Sequence, residues 1–254
     1  MKINEIEPEK KIVVSKFNFS CDDIDEAIPK PLPQSKNWFM LISGKPQSGK
    51  TNLLCNLITK NGKCYNKKYD KVYIFSPSLN TMKNDPFESI PEEQRYNELT
   101  PENLTETLND ISDTGEKVML IFDDCVNDIT KSAELKTIMN KIAMNRRHLC
   151  GEGGSVSIIL TTQVLNKIPA SIRKSASHLI LFNTKNKREI DCIFDEIILI
   201  PKKDFYDIMK YVFDKKHNFL YLDINQDHNK MFHKNFNQLE FKTSDEAVFE
   251  LEGN

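Results

Sequence analysis

Short apolar runs separated by helical patterns dominate the middle of the chain. The runs that we predict to be buried strands are 38–43, 72–75, 118–122, 156–160 and 178–182. Between them, apolar residues recur at helical spacing, most clearly over 53–58 and 133–147. Strands buried on both faces read as continuous apolar runs, and parallel strands are joined by helical crossovers. The pattern therefore predicts an α/β fold with a mostly parallel central sheet flanked by helices.

The two ends of the chain carry weaker patterns. Near the N-terminus, 11–14 has the pattern of an added edge strand, and closely spaced prolines before residue 34 mark an extended linker. Beyond the core, a helix over 205–213 and a strand over 219–224 are predicted to extend the sheet, and the acidic tail from 243 is predicted to be loose. The predicted divisions are 1–36 (extension and linker), 37–200 (core) and 201–254 (C-terminal extension with its tail).

A glycine-containing octapeptide follows the first predicted strand and precedes the first predicted helix. It fits G-x-x-x-x-G-K-[ST] and reads Gly44, Lys45, Pro46, Gln47, Ser48, Gly49, Lys50 and Thr51. In such a loop, backbone N–H groups cradle phosphates, the lysine reaches the β- and γ-phosphates, and the last hydroxyl binds Mg²⁺. A surface turn is the alternative, but the strand–loop–helix context favours a nucleotide site.

Two acids end the third predicted strand. Asp123 stands where a carboxylate is expected to hold Mg²⁺, directly or through water, and Asp124 stands where many ATPases carry a glutamate that polarises the attacking water. An Asp pair after a strand can instead cap a helix or form a turn. Behind a phosphate loop, we favour the metal role for Asp123 and the catalytic role for Asp124.

Two further polar positions are candidates for the same chemistry. Gln163 ends the fourth predicted strand, where it is expected to orient the attacking water or to sense the γ-phosphate, with an ordinary polar strand end as the alternative. Arg147 closes the helix after the Asp pair and is a candidate arginine finger for a neighbouring subunit, although a cation at a helix C-terminus is also favourable without any such role. Arg146 and Arg173 are rival candidates for the finger.

Composition bounds the class of protein. The 254 residues, 39% of them hydrophobic, suffice for one large α/β core with small additions. No apolar run is long enough to span a bilayer, and the charged N-terminus lacks the apolar region of a signal peptide. The six cysteines are scattered without a C-x-x-C pair, which argues against a zinc site and favours a reducing cytosolic setting.

The net charge of −2 conceals an uneven layout of charge. Acids prevail over 77–116, where one weak helical stretch is predicted at 101–108, whereas lysine and arginine prevail over 128–188. Solvated helix faces account for any single lysine in the basic half. The basic half as a whole favours a polyanionic partner.

Several other nucleotide-binding classes fit the chain less well. The base-reading N-K-x-D motif of GTPases and the L-S-G-G-Q signature of transporter ATPases are absent from the sequence. The acid pair is not the Asp-Glu box of common helicases, and the arginines are too few for the lid of a small-molecule kinase.

Taken together, the motifs resemble the viral genome-packaging branch of the FtsK–HerA ATPases, which occurs in poxviruses, other large DNA viruses, virophages and some archaeal viruses. The resemblance covers about 37–183 and rests on 44–51, 121–124, 145–148, 158–163 and 168–173. The phosphate loop is generic. The order of Arg147-His148, a strand ending in Gln163, and then Ile168-Pro169 is considerably more specific.

This resemblance implies a RecA-like P-loop NTPase fold (ASCE type) that assembles as a homo-oligomeric ring, a pentamer or a hexamer, and uses ATP and Mg²⁺ to drive double-stranded DNA into a capsid. It makes Lys50 and Thr51 the ligands of the phosphates and Mg²⁺, Asp123 the metal-side acid, Asp124 the base, Gln163 a sensor and Arg147 a candidate trans finger. Cellular relatives usually carry glutamate where Asp124 stands.

The implied partners are double-stranded DNA, further copies of the chain and capsid proteins, with no membrane. The implied location is the host cytoplasm at sites of virus assembly, with the virion as a second location. Two other function classes stay open from the residues alone: a different P-loop enzyme such as a nucleotide kinase, and a non-catalytic nucleotide-binding scaffold.

Overall fold

The computed structural model describes residues 23–59, 64–79 and 85–244, and the structural statements below refer to these residues. The strands are β1 Phe39–Ser43, β2 Lys71–Phe75, β3 Arg95–Tyr96, β4 Lys117–Phe122, β5 Ser155–Thr162, β6 His178–Phe182, β7 Phe219–Asp223, β8 Phe232–Lys234 and β9 Asn237–Gln238. The helices are α1 Lys50–Ile58, α2 Pro101–Ile111, α3 Val126–Lys131, α4 Ala133–Asn145, α5 Ala170–Arg173, α6 Lys187–Ile197 and α7 Lys202–Val212. The edge strand predicted at 11–14 and the tail after 244 lie outside the described residues.

One sheet contains all of these strands, in the order β3-β2-β4-β5-β1-β6-β7-β8-β9. The strands from β3 to β6 are parallel, whereas β7, β8 and β9 are antiparallel to their neighbours. The prediction of a mostly parallel sheet flanked by helices is confirmed. The reversal at β7 was not predicted, and it arises because two helices, α6 and α7, separate β6 from β7. One helix returns the chain to the amino edge of the sheet, and the second brings it back to the carboxyl edge.

The sheet is buried on both faces. Successive residues of β1 alternate between two apolar clusters: Phe39 and Leu41 belong to one, and Met40 and Ile42 to the other. Side chains that alternate across a pleated strand line opposite faces, so helices cover both sides. Continuous apolar runs were therefore the right signal for these strands.

Polar caps fix where several helices begin. The side chain of Thr100 accepts the Asn103 N–H before α2, and Ser132 accepts the Leu135 N–H before α4. Helix α6 is capped in the same way by Asn186 and was not predicted from the sequence. Each such cap satisfies a backbone donor that the helix itself cannot pair.

The described part of the N-terminal segment packs on the core. Ile28 and Leu32 are buried in the cluster that includes Trp38. The hydroxyl of Tyr65 donates to the Pro33 carbonyl at 3.1 Å. These contacts bring the chain to the amino end of β1. Among the described residues, no helix is long and apolar enough to cross a membrane.

Candidate nucleotide-binding site

Three predicted motifs meet at the carboxyl edge of the sheet. Strand β5 lies between β1 and β4, and all three strands are parallel. The phosphate loop follows β1, the acid pair follows β4, and Gln163 follows β5. Because parallel strands end at the same edge, the topology places these groups side by side.

The phosphate loop has the conformation that its glycines allow. Gly49, at the N-cap of α1, has φ 110°, a left-handed value that favours glycine. A Cβ on Gly44 would lie 2.5 Å from the Ser48 Oγ and 2.8 Å from the Phe182 Cβ, both closer than non-bonded atoms approach. The loop is therefore a close-fitting cradle in which a side chain at Gly44 has no room.

The Lys50 ammonium is turned into this cradle. Its Nζ donates to the Gly44 carbonyl at 2.6 Å and to the Lys45 carbonyl at 3.4 Å, and the residue is only 6% exposed. A lysine carries three donors and one compact charge, so it can exchange these carbonyls for phosphate oxygens. The arrangement fits the binding of a nucleotide polyphosphate.

Two hydroxyls hold the Asp123 carboxylate. Thr161 Oγ1 donates to its Oδ1 at 2.7 Å, and Ser76 Oγ donates to its Oδ2 at 3.0 Å. Asp123 is 3% exposed, and this burial raises its pKa, while the two hydrogen bonds and the charge of Lys50 act in the opposite direction. Sequence reasoning missed Ser76 and Thr161, although both are polar residues at or near the end of an apolar strand.

Asp124 adopts a left-handed backbone conformation beside Asp123. Its φ is 56°, and its N–H donates to Thr161 Oγ1 at 3.0 Å. The Thr161 hydroxyl thus links the two aspartates, donating to one and accepting from the backbone of the other. Gln163 Nε2 donates to Asp124 Oδ2 at 3.2 Å, so the structure brings these two candidates together.

Neither aspartate caps the helix that follows. Helix α3 begins after Cys125 and has no side-chain cap hydrogen bond. A helix cap, one of the two structural roles considered for the pair, therefore lacks the hydrogen bond that would define it.

The residues present fit Mg²⁺ brought in with a nucleotide. The described residues contain no group of three or more His, Cys, Asp or Glu side chains that could hold a metal by themselves. Mg²⁺ is commonly bound through one or two protein oxygens together with substrate phosphates and waters. Asp123, and Thr51 in the exposed first turn of α1, supply oxygens of this kind.

Arg146 and Arg147 lie at the opposite, amino edge of the sheet. Arg146 Nε donates to the Asn37 carbonyl at 2.5 Å, just before β1, and Nη1 donates to the Ala143 carbonyl at 2.6 Å. Burial lowers the pKa of Arg146, and the charge of Arg147 adds to this effect. Both arginines line a cavity of about 640 Å³ together with His178. Neither residue reaches the phosphate loop of its own subunit.

Arg173 is held by its own subunit. Its Nε and Nη2 each donate to a carboxylate oxygen of Glu196 at 2.6 Å, and Nη1 donates to the Ile168 carbonyl at 2.5 Å. The residue is 8% exposed. These bidentate contacts tie α5 to α6 and occupy the guanidinium, so we do not retain Arg173 as a finger candidate.

Replacing Arg173 with alanine is expected to destabilise the fold by about 2–3 kcal/mol, because charge-assisted hydrogen bonds are lost and Glu196 keeps its charge without a partner. Arg173 lowers the pKa of Glu196 below its unfolded value. The contribution of the pair is therefore full above the ordinary carboxyl range and is lost as the pH falls through the lowered pKa. Urea unfolding of both proteins at neutral and acidic pH tests this, and an equal difference at every pH would contradict it.

A buried glutamate, which sequence reasoning missed, holds together two segments beneath the nucleotide site. Glu189 on α6 is 3% exposed, and its Oε1 accepts the Leu165 N–H at 2.7 Å and the Ser43 Oγ–H at 3.3 Å. Its Oε2 accepts the Thr184 Oγ1–H at 2.7 Å. Glu189 thus joins the end of β1 to the segment after Gln163. A lone glutamate on an unpredicted helix gave no signal in the sequence.

The order of the sheet and the motifs at its carboxyl edge define a P-loop NTPase with the RecA-like arrangement, in which one strand separates the loop-bearing and acid-bearing strands. The chain belongs to the poxvirus A32 protein family, whose sequence model matches residues 32–254. This confirms the resemblance to the poxvirus-type branch. No curated protein sequence matches the chain.

Solved structures agree on the fold. The genome packaging NTPase B204 of Sulfolobus turreted icosahedral virus 2 is 15% identical, with a TM-score of 0.55 over 82% of this chain and 100% of that one. The pCW3 conjugation coupling protein TcpA is 10% identical, with a TM-score of 0.52 over 93% of this chain and 75% of that one. EssC (ATPases 2 and 3) of Geobacillus thermodenitrificans is 14% identical, with a TM-score of 0.52 over 87% of this chain and 44% of that one.

Proposed function

We propose that this protein is an ATP-hydrolysing motor that translocates double-stranded DNA and packages a viral genome into a capsid. One observation carries the hydrolytic part: Asp123, Asp124 and Gln163 converge beside the Lys50 cradle through hydrogen bonds. The family match and the similarity to a protein described as a genome packaging NTPase support the purpose.

Each residue has a distinct part in the proposed reaction. Backbone N–H groups of the loop bind the phosphates, and Lys50 moves from the Gly44 carbonyl to the β- and γ-phosphates. Thr51 and Asp123 would hold Mg²⁺, which would neutralise phosphate charge when bound. Asp124 accepts a proton from the attacking water, and the amide of Gln163 orients that water.

The contacts of the Thr161 hydroxyl with the two aspartates support different roles for them. Its hydroxyl holds Asp123 on one side and the backbone of Asp124 on the other, so the carboxylate of Asp124 stays available to water and to Gln163. An aspartate has a shorter reach than the glutamate of cellular relatives. Asp124 has a left-handed backbone conformation, which changes the direction of the chain directly after β4. We propose that this change of direction brings the shorter side chain to the attacking water.

A neighbouring subunit is needed if Arg147 takes part in catalysis. Arg147 lies at the far edge of the sheet from its own phosphate loop, so it can serve only the site of a neighbouring subunit. The rate of ATP hydrolysis per subunit is expected to rise with protein concentration and to rise further with double-stranded DNA. A flat profile would count against a shared site.

Mixing two inactive variants tests the trans role of Arg147 directly. Arg147→Ala and Lys50→Ala are each expected to lose hydrolysis, because a finger in trans contributes about 10³–10⁵ in rate. In a mixture, some interfaces pair an intact loop with an intact Arg147, so part of the activity returns. Absence of any recovery, with mixed rings verified by mass, would refute the assignment.

We assign the DNA contacts to the basic surface of the segment 128–188, with capsid proteins as further partners. Contacts to backbone phosphates are sequence-independent and weaken steeply with salt. We further propose that the protein acts at virus assembly sites in the host cytoplasm or in the virion. DNA-stimulated hydrolysis that is equal for unrelated sequences and declines with salt would support it.

A further inference from the structure

The loop between α7 and β7 reaches the phosphate loop from a distant part of the sequence. Strand β7 begins at the carboxyl edge because it is antiparallel to β6, with Phe219 paired to Phe182. The residues just before β7 therefore lie at the edge that carries the phosphate loop. His217 Nδ1 is 2.9 Å from the Ser48 carbonyl oxygen, in the middle of that loop.

The chemistry of this contact fixes the proton on the ring. A carbonyl oxygen only accepts hydrogen bonds, so Nδ1 of His217 must carry the hydrogen and donate. The residue is exposed, which leaves the rest of its ring accessible to solvent and to a ligand.

His217 and Phe182 also enclose the glycine that turns the loop into α1. A Cβ placed on Gly49 would lie 3.5 Å from the Phe182 ring and 3.6 Å from His217 Nδ1. The outer side of the loop at Gly49 is thus flanked by two rings.

The loop that carries His217 is held in place by its own hydrogen bonds. Asp214 Oδ1 accepts from Asn218 Nδ2 at 2.7 Å and pairs with Lys234 Nζ at 2.9 Å. Asn235 Nδ2 donates to Asn218 Oδ1 at 3.2 Å. His217 itself has φ 68°, a left-handed conformation that is uncommon for residues other than glycine. The contact to Ser48 is therefore part of a braced structure.

We propose that the segment 214–218 is an additional element of the nucleotide site. His217 positions the phosphate loop through Ser48, and the exposed Lys215 and Lys216 add positive charge for the polyphosphate of a nucleoside triphosphate. This inference rests on the proposed function, because it assigns a role to a site that must first bind a nucleotide.

A matched pair of variants separates the hydrogen bond from the backbone. Glycine and asparagine both tolerate the left-handed conformation, but only asparagine keeps a donor near the position of Nδ1. With a non-hydrolysable ATP analogue as the probe, His217→Gly is expected to raise the Kd about 3–10-fold, the scale of one hydrogen bond. His217→Asn is expected to stay within about twofold of the parent protein. The hydrolysis rate at saturating ATP, measured for both, separates an effect on binding from an effect on the chemical step.

The lysines are tested by the salt dependence of binding. Lys215→Ala combined with Lys216→Ala is expected to weaken analogue binding at low salt and to flatten its dependence on salt, whereas Lys203→Ala on the exposed start of α7 is the control. Equal Kd values for the His217→Gly and parent proteins, with unfolding curves that coincide, would overturn the inference. Binding that responds as expected in a protein that never hydrolyses ATP would leave this inference standing and remove the proposed function.

Discussion

Replacing Lys50 with alanine is expected to lower ATP hydrolysis by at least about 10²–10³-fold while the fold stays intact. A preorganised charge aimed at the place where transition-state charge develops commonly contributes this much. The Lys50 ammonium donates hydrogen bonds to two carbonyls of its own loop. Its loss therefore removes a positive charge from the site. Initial rates of phosphate release, with and without double-stranded DNA, measure the effect.

The control for this variant is Lys203→Ala, which removes the same charge from the exposed first turn of α7. Its hydrolysis rate is expected to equal that of the parent protein. Thermal unfolding of both variants shows whether either loses stability. Turnover that survives in Lys50→Ala, in a folded protein, would mean that the phosphate-loop assignment is wrong.

Much of the sheet was predictable because its strands are buried on both faces. A run such as 118–122 has no polar position to blur the pattern, and the structure places β4 there with one further residue at its start. The three motifs that follow β1, β4 and β5 were predictable for the same reason, since a polar residue directly after an apolar strand stands out. Their meeting at one edge then follows from parallel topology.

The rest of the site depends on contacts that a linear pattern does not contain. His217 contacts Ser48 only because α6 and α7 reverse the direction of β7. The residues around His217 in the sequence do not indicate that reversal. Thr161 directly follows the apolar run 156–160, but the sequence does not show that its hydroxyl contacts both aspartates. Arg173 resembled a free cation in the sequence until Glu196 on the unpredicted helix α6 was placed against it.

The hydrogen bonds around the acid pair give the two carboxylates different surroundings. Asp123 is buried, with each oxygen accepting from a hydroxyl, whereas Asp124 is partly exposed and accepts from Gln163. A buried and doubly held carboxylate suits a fixed metal position, and a more exposed one suits exchange of a proton with water. This difference favours separate roles for two adjacent residues of the same type.

Replacing Asp124 with asparagine is expected to reduce hydrolysis about 10²–10⁴-fold, the usual contribution of a positioned general base. Asparagine keeps the size of the side chain and tolerates the left-handed φ of 56°. It also keeps one oxygen that can accept from Gln163. ATP affinity is therefore expected to be retained, and single-turnover measurements at saturating ATP report the loss in the chemical step.

Asp195→Asn, on the exposed face of α6, removes the same charge and is expected to leave both binding and hydrolysis unchanged. The comparison also separates a motor from a nucleotide-binding scaffold. A scaffold would bind ATP equally in the parent protein and both variants without turning it over. If Asp124→Asn hydrolyses ATP within about tenfold of the parent rate, Asp124 is not the general base, because the loss of such a group is expected to cost more than this. Gln163, which contacts the same carboxylate, would then be the next residue to replace.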